Sequence, residues 1–234
     1  MSKITVSVII IHYNTPDLLN NCINSIRLFT KDIHYEIIVV DNHSSIKPAL
    51  AEIKDLLFIQ NEENQGFAKA NNKGAIHAKG QFLFLLNSDT VLRDNVIYDC
   101  WFHFKYTHKI GALGPRLLNE DGRIQYYGSI LGRHQYKGTE ARKVTFLSGA
   151  ALMIPKDIYL KIGGFDEHYF FYNEDLDLCK TLRKKGYDLI YFPKAEVIHF
   201  GGKSTVRNSA LKIQAYKSSW YYLKKHYLNK LFKK

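Results

Sequence analysis

Gln81-Phe82-Leu83-Phe84-Leu85-Leu86-Asn87-Ser88-Asp89-Thr90 is an unbroken apolar run that stops abruptly at Asn-Ser-Asp. A run of this kind reads as a strand buried on both faces, as strands are in parallel sheets. In open α/β sheets, ligands bind beyond the carboxyl ends of the strands. Asp89 is therefore delivered to the edge where such folds do their chemistry.

Working outward, the first half alternates strand and helix. Ile4 to Ile11 is a β-branched strand, and Thr15-Pro16-Asp17 opens a helix with a capping hydroxyl, a first-turn proline and an acid. Leu18, Leu19, Cys22, Ile23, Ile26 and Phe29 form its apolar stripe. Residues 35–40 make a second strand that runs into Asp41-Asn42, a weaker helix follows Pro48, and Leu56 to Ile59 is a third strand. Residues 66–79 read as a short helix before the strand at 82–86. Alternation of this kind predicts a doubly wound, mostly parallel sheet flanked by helices.

The second half is less regular. A strand is expected at residues 110–114, a hairpin or loop at 119–139, and a helix opened by Pro155. Beyond these come a helix at 174–185, strands at 189–192 and 197–200, and a terminal helix from Ala210 to Leu231. With 234 residues and no linker or internal repeat, the chain reads as one domain. It divides into a regular strand–helix half (1–90), a smaller, less regular subregion (91–205) and a C-terminal helix (206–234).

Composition narrows the class. Apolar residues make up 46%, ordinary for a globular chain. No apolar stretch reaches the ~18 residues of a membrane span. The opening residues lack the pattern of a signal peptide. Cys22, Cys100 and Cys179 are far apart and without zinc-ligand spacing, which suits thiols used as small core residues in a reducing cytoplasm. The net charge of +11 favours anionic partners.

Three strand ends carry polar residues: His12-Tyr13-Asn14, Asp41-Asn42 and Asn87-Ser88-Asp89. As neighbours they would line one crevice. A nucleotide base near Tyr13 and Asp41 would place its diphosphate near Asp89. Two phosphate charges repel a bare carboxylate, and a hard cation such as Mg2+ or Mn2+ removes that conflict. Each acid alone also reads as a helix cap or turn residue. Asn64, Gly66 and Asn72 belong to a polar segment too rich in asparagine for helix stability alone.

A second pole is Phe170-Phe171-Tyr172-Asn173-Glu174-Asp175-Leu176-Asp177. First-turn acids complement the helix dipole, and Asp177 reads as only that. Glu174 and Asp175 lie beside aromatics on which a sugar could stack, and such a carboxylate can act as a general base. A third pole is His199, followed by Gly201-Gly202-Lys203-Ser204. This run imitates the end of a P-loop, but it lacks the first glycine and the strand–loop–helix context. No other glycine cluster fits a dinucleotide fingerprint.

Taken together and in order, these segments resemble family 2 inverting glycosyltransferases with the GT-A fold, and most closely the bacterial rhamnosyltransferase-like branch. The matching pieces are Val8 to Asn14, Val39-Val40-Asp41-Asn42, Asn64 to Ala68, Leu85 to Asp89, Ser148 to Met153, Gly163 to Glu167, Phe171 to Leu178 and Val197 to Gly202. The resemblance implies sugar transfer from a nucleotide-diphosphate donor to a hydroxyl of a glycan or polyprenyl-diphosphate-linked saccharide, in bacterial surface polysaccharide synthesis. It makes Asp89 the last acid of a metal motif, with His199 near the metal, and Asp175 the general base, with Glu174 its rival. His12, Tyr13, Asn14, Asp41, Asn64, Gly66, Asn72, Asn87, Ser88 and Asp89 become the nucleotide-sugar set. Phe171, Tyr172 and Gly149 fall on the acceptor side. Asn87 departs from the usual first aspartate of the metal motif, so fewer carboxylates hold the ion.

From Lys212 onward, lysines interleave with Trp220, Tyr221, Tyr222, Leu223 and Tyr227. A basic aromatic helix suits the anionic inner face of a membrane, and equally a helix docked on the domain with its lysines in water. Two other classes fit less well. A sugar-phosphate nucleotidyltransferase needs a glycine-rich basic loop after the first strand, and His12 to Pro16 has neither glycine nor arginine. A nucleic-acid binder needs basic residues spread over one face, whereas here they concentrate at one end, so no nucleic-acid partner is expected.

Overall fold

The computed structural model describes residues 3–48, 50, 54–107, 109–125, 136–201 and 209–228. The first half runs β1 (Val6–His12), α1 (Pro16–Phe29), β2 (Tyr35–Asp41), β3 (Leu56–Gln60), α2 (Gly66–His77) and β4 (Phe82–Asn87). There follow β5 (Thr90–Leu92), α3 (Val96–Lys105), β6 (Ile110–Leu118), β7 (Arg142–Val144), β8 (Ala151–Pro155) and α4 (Lys156–Lys161). The chain continues through α5 (Glu174–Lys184), β9 (Asp188–His199) and α6 (Ser209–Leu223), which ends in a π-helical turn at Lys224–Leu228.

One nine-stranded sheet organises these elements, in the order β3-β2-β1-β4-β8-β6-β9-β5, with β7 also on β9. The segment β3-β2-β1-β4 is parallel throughout, as the buried apolar strands require. Beyond β4 the sheet becomes mixed: β8 is antiparallel to β4 and β6, while β6 and β9 are parallel. Side chains alternate between two cores. Val8 and Ile10 pack with Leu19, Ile23 and Ile26 of α1 and with Val96, Ile97 and Cys100 of α3. Ile9 packs on the other face with Ala68 and Ala75 of α2 and Leu178 and Leu182 of α5. Helices thus cover both faces, the doubly wound plan. Cys22, Cys100 and Cys179 are free and buried, small core residues as expected.

Several elements differ in detail from the sequence reading. β5, α3 and β7 were not anticipated. β9 is one strand rather than two, because three extra residues between its pairings to Pro115 and Arg116 are absorbed as a bulge. Thr15 does not cap α1; its Oγ1 lies 3.4 Å from Ser88 Oγ. The helix expected after Pro48 lies largely outside the described residues, as do residues 126–135 of the loop, Lys203 and Ser204, and the last six residues. Among the described residues no helix is long and apolar enough to cross a membrane.

Candidate active site

Register brings the polar strand ends together. His12 pairs with Asp41 across β1 and β2, and Ile11 with Asn87 across β1 and β4. His12 Nδ1 lies 2.8 Å from Asp41 Oδ1, and both side chains are fully buried. The Thr15 N–H donates to His12 Nε2 at 3.1 Å, so the ring's own proton is on Nδ1 and points at Asp41. Burial holds the imidazole below its ordinary pKa, against the pull of the Asp41 carboxylate. Asp41 also accepts from Ser44 Oγ and, through Oδ2, from the Ser44 N–H at 3.1 Å. Asp41 therefore ties the β1 end to the loop after β2. Asn14, at φ 55°, binds the same loop: its N–H donates to Ser44 Oγ and its Oδ1 accepts from the Ser45 N–H at 2.8 Å. Tyr13 is the exposed member of the group.

Asp89 is placed by β5 and β9. Thr90 pairs with His199, and the Phe200 N–H donates to the Asp89 carbonyl at 2.9 Å. His199 Nε2 consequently lies 3.4 Å from Asp89 Oδ1. Gln125 fixes the ring. Its Nε2 donates to the carbonyl of His199 and to Asn119 Oδ1, so its Oε1 must accept from His199 Nδ1 at 3.0 Å. In the neutral ring that leaves the Nε2 lone pair beside the Asp89 carboxylate, a second acceptor, with the Asn87 Nδ2 amide as a long donor at 3.5 Å. Asn87 adds a buried Oδ1 without a hydrogen-bond partner. Hard oxygen donors and one imidazole, all acceptors, fit a divalent cation of the Mg2+ or Mn2+ kind. Among the described residues no cluster of three acidic, His or Cys side chains completes such a site. Further ligands would have to come from a bound diphosphate. Gln125 was not a sequence candidate, because only the β6–β9 pairing brings its turn beneath His199.

The carboxylate pair is close by in the sheet. The Asn87 N–H donates to the Ala150 carbonyl at 2.9 Å, and the neighbouring Gly149 N–H donates to Asp175 Oδ2 at 3.2 Å. Asp175 Oδ1 also accepts from the Leu176 N–H at 2.8 Å. Burial raises the Asp175 pKa, and these two amides oppose that rise by stabilising the charged form. Glu174 has only its own backbone amide to support the charged form. It is 7% exposed, and its Oε2 is buried without a partner. Burial first, and then the adjacent Asp175 charge, push it up to about 8. A cavity of about 240 Å³ reaches from His199 and Gln125 to Ser148, the neighbour of Gly149.

Other candidates hold the site's walls. Asn72 donates to the Phe165 carbonyl at 2.9 Å and to Glu167 Oε1 at 3.0 Å, and accepts from Tyr159 Oη at 2.6 Å. Its amide is engaged inside the protein and secures the Gly163 to Glu167 turn. Asn64 Oδ1 accepts from the Gly66 N–H at 3.0 Å. Gly66, at φ +81°, lies so close to Phe170 that an added Cβ would meet its carbonyl oxygen at 2.4 Å, so only glycine fits. The Phe67 N–H donates to that same carbonyl at 2.9 Å. Phe171 and Tyr172 rings lie 4.2 Å apart with Tyr172 exposed, consistent in position with a stacking surface.

Asp177 does more than complement a helix dipole. It accepts from His226 Nε2 at 2.6 Å and Lys225 Nζ at 2.8 Å. Lys225 also reaches Asp166 at 2.7 Å, and Tyr221 Oη donates to Asp166 at 3.0 Å. The C-terminal helix is thus docked on the two acidic turns of the site. The partners are about fifty positions apart in sequence, so no local signal announces the contact.

A profile described as "Glycosyl transferase family 2" matches residues 7–163. The chain is 29% identical over 195 residues to a poly-beta-1,6-N-acetyl-D-glucosamine synthase of Staphylococcus aureus, covering 78% of this chain and 47% of that protein. It is 33% identical over 137 residues to an N-acetylglucosaminyl-diphospho-decaprenol L-rhamnosyltransferase of Mycobacterium tuberculosis, covering 48% of this chain and 45% of that protein. The chain spans about half the length of the curated relatives it matches. Among solved structures, GalNAc-T7 with UDP, GalNAc and Mn2+ superposes with a TM-score of 0.72 at 21% identity, over 84% of this chain and 44% of that one. The mannosyltransferase PcManGT from Pyrobaculum calidifontis, with GDP-Man and Mn2+, gives 0.66 at 16% identity, over 91% and 61%. These likenesses show the GT-A fold. With the family profile matching residues 7–163, more than half of the chain and including Asp41 and Asp89, the chain belongs to glycosyl transferase family 2.

Proposed function

We propose that the chain is an inverting glycosyltransferase that moves a sugar from a nucleotide-diphosphate donor to a hydroxyl of a glycan or lipid-linked saccharide. Surface polysaccharide synthesis, with rhamnosyl transfer as one form, is the setting its relatives' names suggest. The observation that carries this reading is the backbone link between the two acidic poles. Asn87 and Asp175 are joined through Ala150 and Gly149 by two amide hydrogen bonds. A cavity lined by Ser148, Ala151, Gln125 and His199 lies beside the segment that carries this link.

In this reading residues 1–90 hold the donor, 91–205 the acceptor and the chemistry, and 206–234 form a separate helical element. The loop that Asp41 and Asn14 order presents Tyr13 to the base, with Asn64 and Gly66 shaping the adjacent turn. Asp89, His199 and Asn87 would hold a divalent cation, Mg2+ or Mn2+, together with the donor diphosphate and with Ser88 beside it. Bound there, the cation would stabilise charge developing on the leaving diphosphate. Asp175 takes the proton from the acceptor hydroxyl. The two amides on its carboxylate favour the charged form a base needs, whereas burial and the adjacent Asp175 charge favour the protonated form of Glu174. The deprotonated oxygen then attacks the anomeric carbon from the face opposite the leaving group, which inverts the configuration. Phe171 and Tyr172 offer an acceptor-side platform.

The outer face of α6 fits the inner surface of a membrane. Ile213, Tyr216, Trp220 and Leu223 are exposed and recur at helical spacing, flanked by the exposed Lys212, Lys217 and Lys224. Apolar side chains and lysines share the outward face, while Ser218, Lys225 and His226 face the protein. A lipid-linked acceptor at an anionic inner leaflet would place the enzyme there, peripherally and on the cytoplasmic side.

A panel of UDP-, GDP- and dTDP-sugars, scored by thermal shift with and without Mn2+, tests the donor assignment. Stabilisation by one nucleotide family, larger with Mn2+, is the expected result. A melting point indifferent to every nucleotide would overturn it.

A further inference from the structure

The turn that delivers the carboxylate pair is held in an unfavourable backbone conformation. Tyr172 and Asn173, immediately before α5, have φ values of 69° and 68°. Two consecutive non-glycine residues in the left-handed region persist only where the surroundings over-determine them. One side of the turn is pinned by α2, whose Phe67 N–H donates to the Phe170 carbonyl. The other side is pinned by α6. Ser218 Oγ donates to the Phe171 carbonyl at 2.8 Å, and Asn173 Nδ2 donates to Ser219 Oγ at 3.1 Å. Ser218 and Asn173 are both buried, at 4% and 8% exposure. Beyond the pair, Asp177 is gripped by Lys225 and His226 at the end of the same helical segment. The C-terminal helix therefore brackets Glu174 and Asp175 from both sides.

We propose that Ser218 and Ser219 are positioning residues of the transfer reaction, clamping Phe171 and Asn173 so that Asp175 meets the Gly149 amide. The proposal rests on Asp175 serving as the base. Neither serine touches Asp175 itself; Ser218 acts through the backbone carbonyl of Phe171 and Ser219 through the side-chain amide of Asn173. A helix whose inner face is polar is suited to this task. Its serines supply directional bonds to the strained carbonyl and amide, which apolar packing alone would not orient.

The test compares wild type with S218A/S219A, using Ser218→Thr as the conservative control. Carbon-13 carboxyl NMR, assigned with E174Q and D175N, follows the titration of Glu174 and Asp175. Steady-state kinetics with the donor selected by the nucleotide panel gives kcat and KM. In S218A/S219A the turn relaxes, and the Glu174 titration falls from about 8 toward the ordinary carboxylate range. Its kcat drops about tenfold or more while donor KM stays unchanged, since a small misplacement of a catalytic group is enough for that. Ser218→Thr, which keeps the hydroxyl, behaves as wild type. A lower melting point with unchanged titration would make α6 a brace only and overturn the proposal. Should the double variant not fold, Ser219→Ala alone is read the same way. The titration needs no substrate, so it decides the clamp even if the wild type turns over no nucleotide sugar, a result that would count against the transferase reading alone.

Discussion

His199 Nε2 lies 3.4 Å from Asp89 Oδ1 while its Nδ1 is held by Gln125 at 3.0 Å. Two acceptors turned toward each other at that distance repel unless a cation or proton lies between them. Gln125 is what keeps the arrangement, because it fixes the tautomer. Replacing Gln125 with Leu should therefore weaken Mn2+ activation by about 10–100-fold, the usual effect of losing an outer-shell partner of a metal-binding histidine. The dependence of turnover on Mn2+ concentration reads this directly. An unchanged half-saturation point would remove His199 from the metal site.

Glu174 gives a stability prediction with a definite sign. In the unfolded chain it ionises near pH ~4.3, whereas in the folded protein it holds its proton up to about 8. The folded state thus binds more protons between those values. Its contribution is complete below the unfolded value and is lost progressively as pH rises toward the folded one. For one proton the slope is about 1.4 kcal/mol per pH unit. Urea unfolding at several pH values from 5 to 8 should show Glu174→Gln with a flatter profile than wild type. Parallel profiles would mean that Glu174 is ionised in the folded protein.

Docking of α6 should weaken in acid. His226 is neutral: its Nδ1 accepts from Lys184 at 2.9 Å, and its Nε2–H donates to Asp177. Burial first, with the Lys184 and Lys180 charges adding, holds its pKa below 6.5, while Asp177 pulls the other way. Burial also works against the charged form of Asp166, yet hydrogen bonds from Lys225 and His168 outweigh it and hold that carboxyl well below the usual range. Both groups are depressed, so their stabilisation is present above the unfolded values and is lost as pH falls through the folded ones. Hydrogen exchange of residues 212–228 should accelerate below pH ~6.5 from His226, and again below about pH 4 from Asp166. Exchange that stays uniform from pH 7 to 4 would contradict the docking chemistry.

The exposed stripe of α6 predicts binding to vesicles. The wild-type chain should co-sediment with phosphatidylserine-containing liposomes at low salt and be released as salt rises, since each lysine near such a surface contributes about 1 kcal/mol. Trp220→Glu with Leu223→Glu should abolish binding and leave the melting point unchanged, because both side chains face solvent. Failure of the wild type to bind would leave the stripe to another partner.

Much of this was legible in the sequence, for physical reasons. An apolar strand that ends in acids announces its depth and its edge, so Asp41 and Asp89 were placed at strand ends correctly. The segment holding Asn64, Gly66 and Asn72 stood out because asparagine is a poor helix former, and the Phe170 to Asp177 run because aromatics flank its acids. Long-range partners were not legible. Gln125 reaches His199 only through sheet pairing, and Asp177 looked like a dipole acid because its cationic partners lie on another helix. Two strands were expected at 189–192 and 197–200, where one strand absorbs the residues between them as a bulge. Thr15 had a capping residue's chemistry, but its hydroxyl is turned to Ser88.

The central claim is that Asp175 is the base and Glu174 its protonated neighbour. The most direct measurement is the initial rate of sugar transfer by Asp175→Asn and Glu174→Gln at neutral pH, with the donor that the nucleotide panel selects. Asp175→Asn should lose about 10²–10⁴ in kcat with donor affinity retained, while Glu174→Gln, which preserves the uncharged form, keeps most of the wild-type rate. Full turnover by Asp175→Asn, with the loss falling on Glu174→Gln instead, would contradict the account.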